Sequence, residues 1–153
     1  MSEKKVGFTS MASGAKAKDL KKLGIGMLGY AFMGKAHSNG YRKMPYIFWP
    51  PPALPELVSI CGRTEDKVAE EASRYGYKKY CTDWHELVDD KDIDVFVNVG
   101  PNNIHAEPCI AAAKAGKNIV CEKPLARSAS EAKKMLDAAE KADIVHLCNF
   151  NYR

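Results

Sequence analysis

Apolar residues recur along this chain in short unbroken runs, separated by stretches with helical spacing. The runs lie at 23–28, 57–61, 95–99, 118–121 and 145–150, with a shorter one at 79–81. A short apolar run bounded by turn signals predicts a strand buried on both faces. Between the runs, residues 32–42 suit a first helix. Thr64 opens a second, to about Tyr75, with Glu65 and Asp66 suited to its positive end. Asp83 caps a short helix over "WHELVDD". Residues 105–115 form an alanine-rich helix stopped by Gly116. Ser128-x-x-Glu131 is a capping box that starts a last helix, to about Lys141. Strand and helix alternate throughout, so the expected fold is α/β: a doubly wound, mostly parallel sheet with helices on both faces, a Rossmann-type domain.

One segment breaks the alternation. "MPYIFWPPPALPE" (44–56) holds five prolines and three aromatics and reads as an ordered surface loop after the first helix. The six lysines of residues 1–22 face only Glu3 and Asp19, whereas the remaining residues hold 17 basic and 17 acidic side chains. The net charge of +4 therefore belongs to a lysine-bearing, flexible extension at 1–22. A neutral body at 23–153 argues against a nucleic-acid-binding face. No apolar run is long enough for a secretory signal or a membrane span. Five cysteines (61, 81, 109, 121, 148) show no C-x-x-C spacing. They read as free thiols of a reducing cytoplasm, with neither a disulfide frame nor a metal site.

In a doubly wound sheet, ligands bind beyond the carboxyl ends of the strands, so the chemistry is sought just after each run. The first such turn is Gly29-Tyr30-Ala31-Phe32-Met33-Gly34, a G-x-G-x-x-G dinucleotide fingerprint with alanine at its middle glycine. Gly29 permits the sharp reversal and Gly34 the close approach of helix to sheet. Ala31 adds one methyl where a pyrophosphate would lie but removes no backbone donor. The second strand ends in Cys61-Gly62-Arg63-Thr64, without the acid that usually holds the adenosine ribose of NAD. Arg63 is placed to pair with a 2′-phosphate, which leans the cofactor from NAD toward NADP; alternatively, Glu65 serves the ribose and Arg63 is a surface residue.

After the fourth run, "VGPNNIHAE" places Pro101 and Asn102 over a bound cofactor. His105 there is either a catalytic base or a structural hydrogen-bonding residue, and His37 in the first helix reads as structural. The fifth run ends in Glu122-Lys123-Pro124. A lysine facing a cleft at a strand end is costly unless used or paired, and its cation would stabilise a developing alkoxide. Glu122 is placed to hold a ribose hydroxyl. The bland alternative is a strand-end charge pair.

"GYAFMGKAH", "GPNNIHAEPCIAAAKAGKNIVCEKPLA" and "FNYR" (150–153), in this order, resemble the glucose–fructose oxidoreductase / inositol dehydrogenase (Gfo/Idh/MocA) family. The resemblance implies an NAD- or NADP-binding domain of an oxidoreductase. Such enzymes move hydride between the nicotinamide and a sugar, cyclitol or polyol hydroxyl. It implies that Lys123 is the catalytic lysine, often followed by a cis-proline. Pro101, Asn102, His105, Glu122 and Arg153 match cofactor-side positions. The 44–56 segment resembles a subgroup acting on anhydrosugar or sugar substrates, and lies where it would shape substrate entry or an oligomer contact. Family members continue into a substrate domain that also builds the homo-oligomer, so 23–153 is expected to be the cofactor-binding half alone. A non-catalytic NAD(P)-binding or sensing module is the alternative; a methyltransferase-like domain is disfavoured by the E-K-P stretch.

Overall fold

The computed structural model describes residues 20–150. Six strands form one sheet: β1 (Lys22–Leu28), β2 (Leu54–Cys61), β3 (Lys79–Cys81), β4 (Val95–Asn98), β5 (Asn118–Glu122) and β6 (His146–Asn149). Their order is β3-β2-β1-β4-β5-β6, and all pairs are parallel. Five α-helices connect them: α1 (Phe32–Ile47), α2 (Glu65–Tyr75), α3 (His85–Asp89), α4 (Ala106–Lys114) and α5 (Ala129–Lys141). This is the doubly wound arrangement, and the strand order reverses between β1 and β4. The expected extension at 1–22 lies, for residues 1–19, outside the described residues, and Lys22 already belongs to β1.

The strand period of two sorts the core into two layers. Ile25, Met27 and Val97 point to the face covered by α1 and α2, where they meet Val68, Ala72 and Tyr77. Leu28 and Phe96 point to the other face, against Leu87, Cys109, Ala112 and Met135. Phe96 is fully buried, worth about 1.5–3 kcal/mol in transfer alone.

The 44–56 segment corrects the expectation of a loop. Helix α1 continues through Pro45 to Ile47, and β2 begins at Leu54, so only 48–53 is irregular. Pro45 lies in the last turn, where it removes a single N–H, and Phe48 N still donates to Met44 O at 3.0 Å. Pro55 is tolerated because β3 pairs with β2 only over 59–61. Leu54 N donates toward β1, to Lys21 O at 2.8 Å, so the missing donor of Pro55 faces the side without a partner strand. The segment also lies at the wrong end to shape the cofactor crevice. Helix α1 runs about 24 Å away from the first turn before reaching it. Tyr46, Ile47, Phe48 and Trp49 are exposed there, at the amino ends of β1 and β2.

Two glycines of α1 give opposite expectations. A Cβ at Gly34 would stand 2.4 Å from the carbonyl oxygen of Gly29, whereas one at Gly40 meets nothing within 4 Å. Gly34→Ala should cost about 1–3 kcal/mol and Gly40→Ala should gain about 0.5–1 kcal/mol in urea unfolding. Equal effects would contradict the close approach of α1 to the first turn.

Candidate dinucleotide site

The crevice opens where the strand order reverses. Gly29 takes φ +112°, a left-handed conformation that favours glycine, and donates to Cys61 O at 2.9 Å. On its other side Val99 N donates to Leu28 O at 2.9 Å. A Cβ on Gly29 would stand 3.0 Å from the Val99 side chain, so β4 closes the turn from that side. Ala31 is the N-cap of α1, with no side-chain cap and no acid in the first turn. The first backbone amide of the helix to find an acceptor is that of Lys35, on Ala31 O at 3.0 Å. The amides of Phe32, Met33 and Gly34 therefore point out of the helix end unoccupied among the described residues. An uncapped positive helix end of this kind is suited to an anion. Phe32 is exposed above it.

Tyr30 and Gly62 meet across the two turns. A Cβ on Gly62 would lie 2.1 Å from the Tyr30 ring, so the ring rests on the tip of β2 and only glycine fits beneath it. Arg63 is exposed beside them and has no hydrogen bond or ion pair among the described residues. Its guanidinium stands unpartnered beside the tip of β2 among the described residues.

The turn after β4 is held from within. Asn98 is fully buried; its Nδ2 donates to Ile104 O at 2.8 Å, and its Oδ1 accepts from Gly100 N at 3.1 Å. These bonds fix the loop in which Pro101 and Asn102 are exposed. Asn98 was missed in the sequence because it ends an otherwise apolar strand. A polar residue inside "VFVNV" is the signal, since burial requires it to find partners.

His105 takes the structural of its two readings. It is 0% exposed, with Nδ1 3.0 Å from Pro124 O and Nε2 2.9 Å from Gly100 O. No ring nitrogen is left for substrate or cofactor. His105 is instead a strut between the loop after β4 and the turn after β5.

That second turn contains a cis Lys123–Pro124 bond. Lys123 is exposed and its ammonium has no partner among the described residues, so the desolvation argued from the strand end is not felt here. Glu122 behaves differently. It is 3% exposed, and its Oε1 accepts from His37 Nε2 at 2.8 Å and from Asn149 Nδ2 at 2.6 Å. Its Oε2 accepts from Lys123 N at 3.2 Å. Burial pushes this carboxyl up, but the donors from Asn149, His37 and Lys123 outweigh it and hold the group below its ordinary value of about 4.5. The stability gained is therefore present above that value and is lost as the pH falls through the lowered one. The carboxylate faces these donors, not an open crevice as expected. Asn149 was not singled out in the sequence, where nothing distinguishes it from other strand-end polar residues. Arg153 lies outside the described residues.

Residues 23–150 match the family model described as oxidoreductase family, NAD-binding Rossmann fold (GFO_IDH_MocA). The chain belongs to this family. A levoglucosan dehydrogenase of Pseudarthrobacter phenanthrenivorans is 48% identical over 88% of the chain and 34% of its own length. A myo-inositol 2-dehydrogenase of Thermotoga maritima is 30% identical over 84% of the chain and 36% of its own length. A solved levoglucosan dehydrogenase in complex with NADH and L-sorbose superposes with a TM-score of 0.85 at 48% identity, covering 88% of this chain and 36% of that one. An oxidoreductase domain protein from Kribbella flavida gives 0.83 at 42% identity, over 88% and 36%. The chain thus spans about a third of the length of these family members, and the matched third is their NAD-binding domain. No described helix is long and apolar enough to cross a membrane, and no metal-binding cluster of His, Cys, Asp or Glu occurs among the described residues.

The strut is testable in this family domain. A neutral imidazole donates from one ring nitrogen only, so removing the His105 ring takes the donor from one of these two part-buried carbonyls, at a cost of about 0.5–1.5 kcal/mol. His105→Ala should lower the urea midpoint accordingly, and His105→Gln should recover part of the loss. An unchanged midpoint for His105→Ala would show that the ring bears no such role.

Proposed function

We propose that this chain is the dinucleotide half of an NAD(P)-dependent oxidoreductase acting on a sugar, cyclitol or polyol hydroxyl. The observation that carries the reading is the uncapped α1 terminus at the point of strand reversal, with the Glu122-Lys123-Pro124 turn two strands away. The pyrophosphate would lie on the amides of 32–34. The adenosine would lie over Gly62, with the Tyr30 ring as its floor. The nicotinamide would lie on the β4–β5 side, near Pro101, Asn102 and Lys123. When bound, the nicotinamide supplies or accepts the hydride. Lys123 would hold or donate the proton at the substrate oxygen, its cation offsetting alkoxide charge. The named substrates of the family relatives support a sugar or cyclitol, taken up by a part of the protein beyond this domain, which would also form the oligomer. The five unpaired thiols support a cytoplasmic setting.

For the cofactor, the reading is use of both forms. NADH in a 48% identical relative supports the first. The unpartnered Arg63 and the absent acid at the tip of β2 support the second. Neither feature favours a module that merely senses NAD(P), because Lys123 would then have no task.

Titration with NADH and NADPH, followed by nicotinamide fluorescence, tests this. Both should bind, S-adenosylmethionine should not, and Arg63→Ala should weaken NADPH roughly tenfold more than NADH. Binding of S-adenosylmethionine with neither nicotinamide would refute the reading. Equal losses would remove the 2′-phosphate role from Arg63.

A further inference from the structure

Glu122 is the one buried carboxylate at the carboxyl edge of the sheet among the described residues, and three segments converge on it. His37 comes from the second turn of α1, the helix that starts at the phosphate turn. Asn149 comes from β6, and the Lys123 amide from the turn that also carries the lysine side chain. The His37 ring nitrogen that reaches Glu122 must carry a hydrogen, because a carboxylate can only accept. That fixes the ring as the Nε2–H tautomer when neutral. Asn149 Nδ2 lies 3.4 Å from the same nitrogen, which cannot accept from it while it donates to Glu122. Tyr41, one turn further along α1, flanks the His37 ring with centroids 6.5 Å apart.

Resting on the dinucleotide reading above, we infer that His37 and Asn149 are positioning residues. They clamp the Glu122 carboxylate, and through it the Lys123–Pro124 turn, at a fixed distance from the phosphate turn. Three observations carry this. The bonds are short and shielded. They join segments far apart in sequence, with 85 residues between His37 and Glu122 and 27 between Asn149 and Glu122. And the carboxylate spends its lone pairs on protein donors. A buried carboxylate that bridges elements orders them relative to one another, since losing either donor leaves charge uncompensated.

The clamp is on the nicotinamide side of the strand reversal, so it should matter for one half of the cofactor. Adenosine diphosphate reports the adenosine and pyrophosphate half alone, and NADH reports both. In the full chain, His37→Leu should weaken NADH roughly tenfold while ADP affinity stays within about twofold. His37→Gln, whose amide can reach the same oxygen as a donor, should restore NADH binding. Asn149→Leu removes the other donor from a different strand and should reproduce the His37→Leu pattern, whichever variant folds better. Ring nitrogen NMR of the wild type should show the hydrogen of the neutral His37 ring on Nε2. Unchanged NADH affinity in both leucine variants, a parallel loss of ADP, or no rescue by glutamine would overturn the clamp. A wild-type chain that binds neither ADP nor NADH would instead overturn the dinucleotide reading on which it rests, and the clamp with it.

Discussion

The structure depends on one close approach. Helix α1 begins directly against the carbonyl of Gly29, with no room for a side-chain carbon at Gly34. That contact brings a helix terminus, with its free amides, to the point where β1 and β4 part. The carbonyl of Cys61 and the side chain of Val99 close the turn from the two neighbouring strands. Everything proposed for function is placed relative to this turn. In the proposed reading the adenosine end would lie toward β2, on the Tyr30 ring, and the hydride end toward β4 and β5.

The second organising element is polar and hidden. Asn98, His105 and Glu122 are all buried, and each braces the loops at the same edge of the sheet. Asn98 shapes the loop after β4. His105 joins that loop to the Lys123–Pro124 turn, and Glu122 joins the turn to α1 and β6. The residues that face the crevice, Pro101, Asn102 and Lys123, are by contrast exposed. An exposed surface thus stands on a satisfied internal network. This suits a site that must hold geometry while exchanging a large cofactor.

Much of this was legible in the residues. Alternating apolar runs and capped helices gave the succession of elements and the doubly wound parallel class, because buried parallel strands leave a strong pattern. Ser128 does accept from Glu131 N, although Glu131 reaches back to Arg127 N and not to the cap residue itself. The Pro-rich segment misled, because proline counts were weighed without position. Pro45 in a last helical turn and Pro55 on an unpaired strand side cost little. The role of Glu122 misled, and that of His105 stayed open between two readings, for another reason. Motif positions name the residues at a site but not the direction their side chains take, and here both turn inward, His105 to partners 5 and 19 residues away and Glu122 to partners 27 and 85 residues away. Pairings such as His37 with Glu122 arise only from tertiary packing, so no local signal could announce them.

The central claim is that a nicotinamide dinucleotide lies across the strand reversal on the free amides of α1. Backbone amide NMR during titration with NADH tests it most directly. The account predicts the largest shifts at Phe32, Met33 and Gly34, with further changes at Gly62 and around Asn102. Shifts confined to other surfaces, or none at 32–34 at saturation, would contradict it.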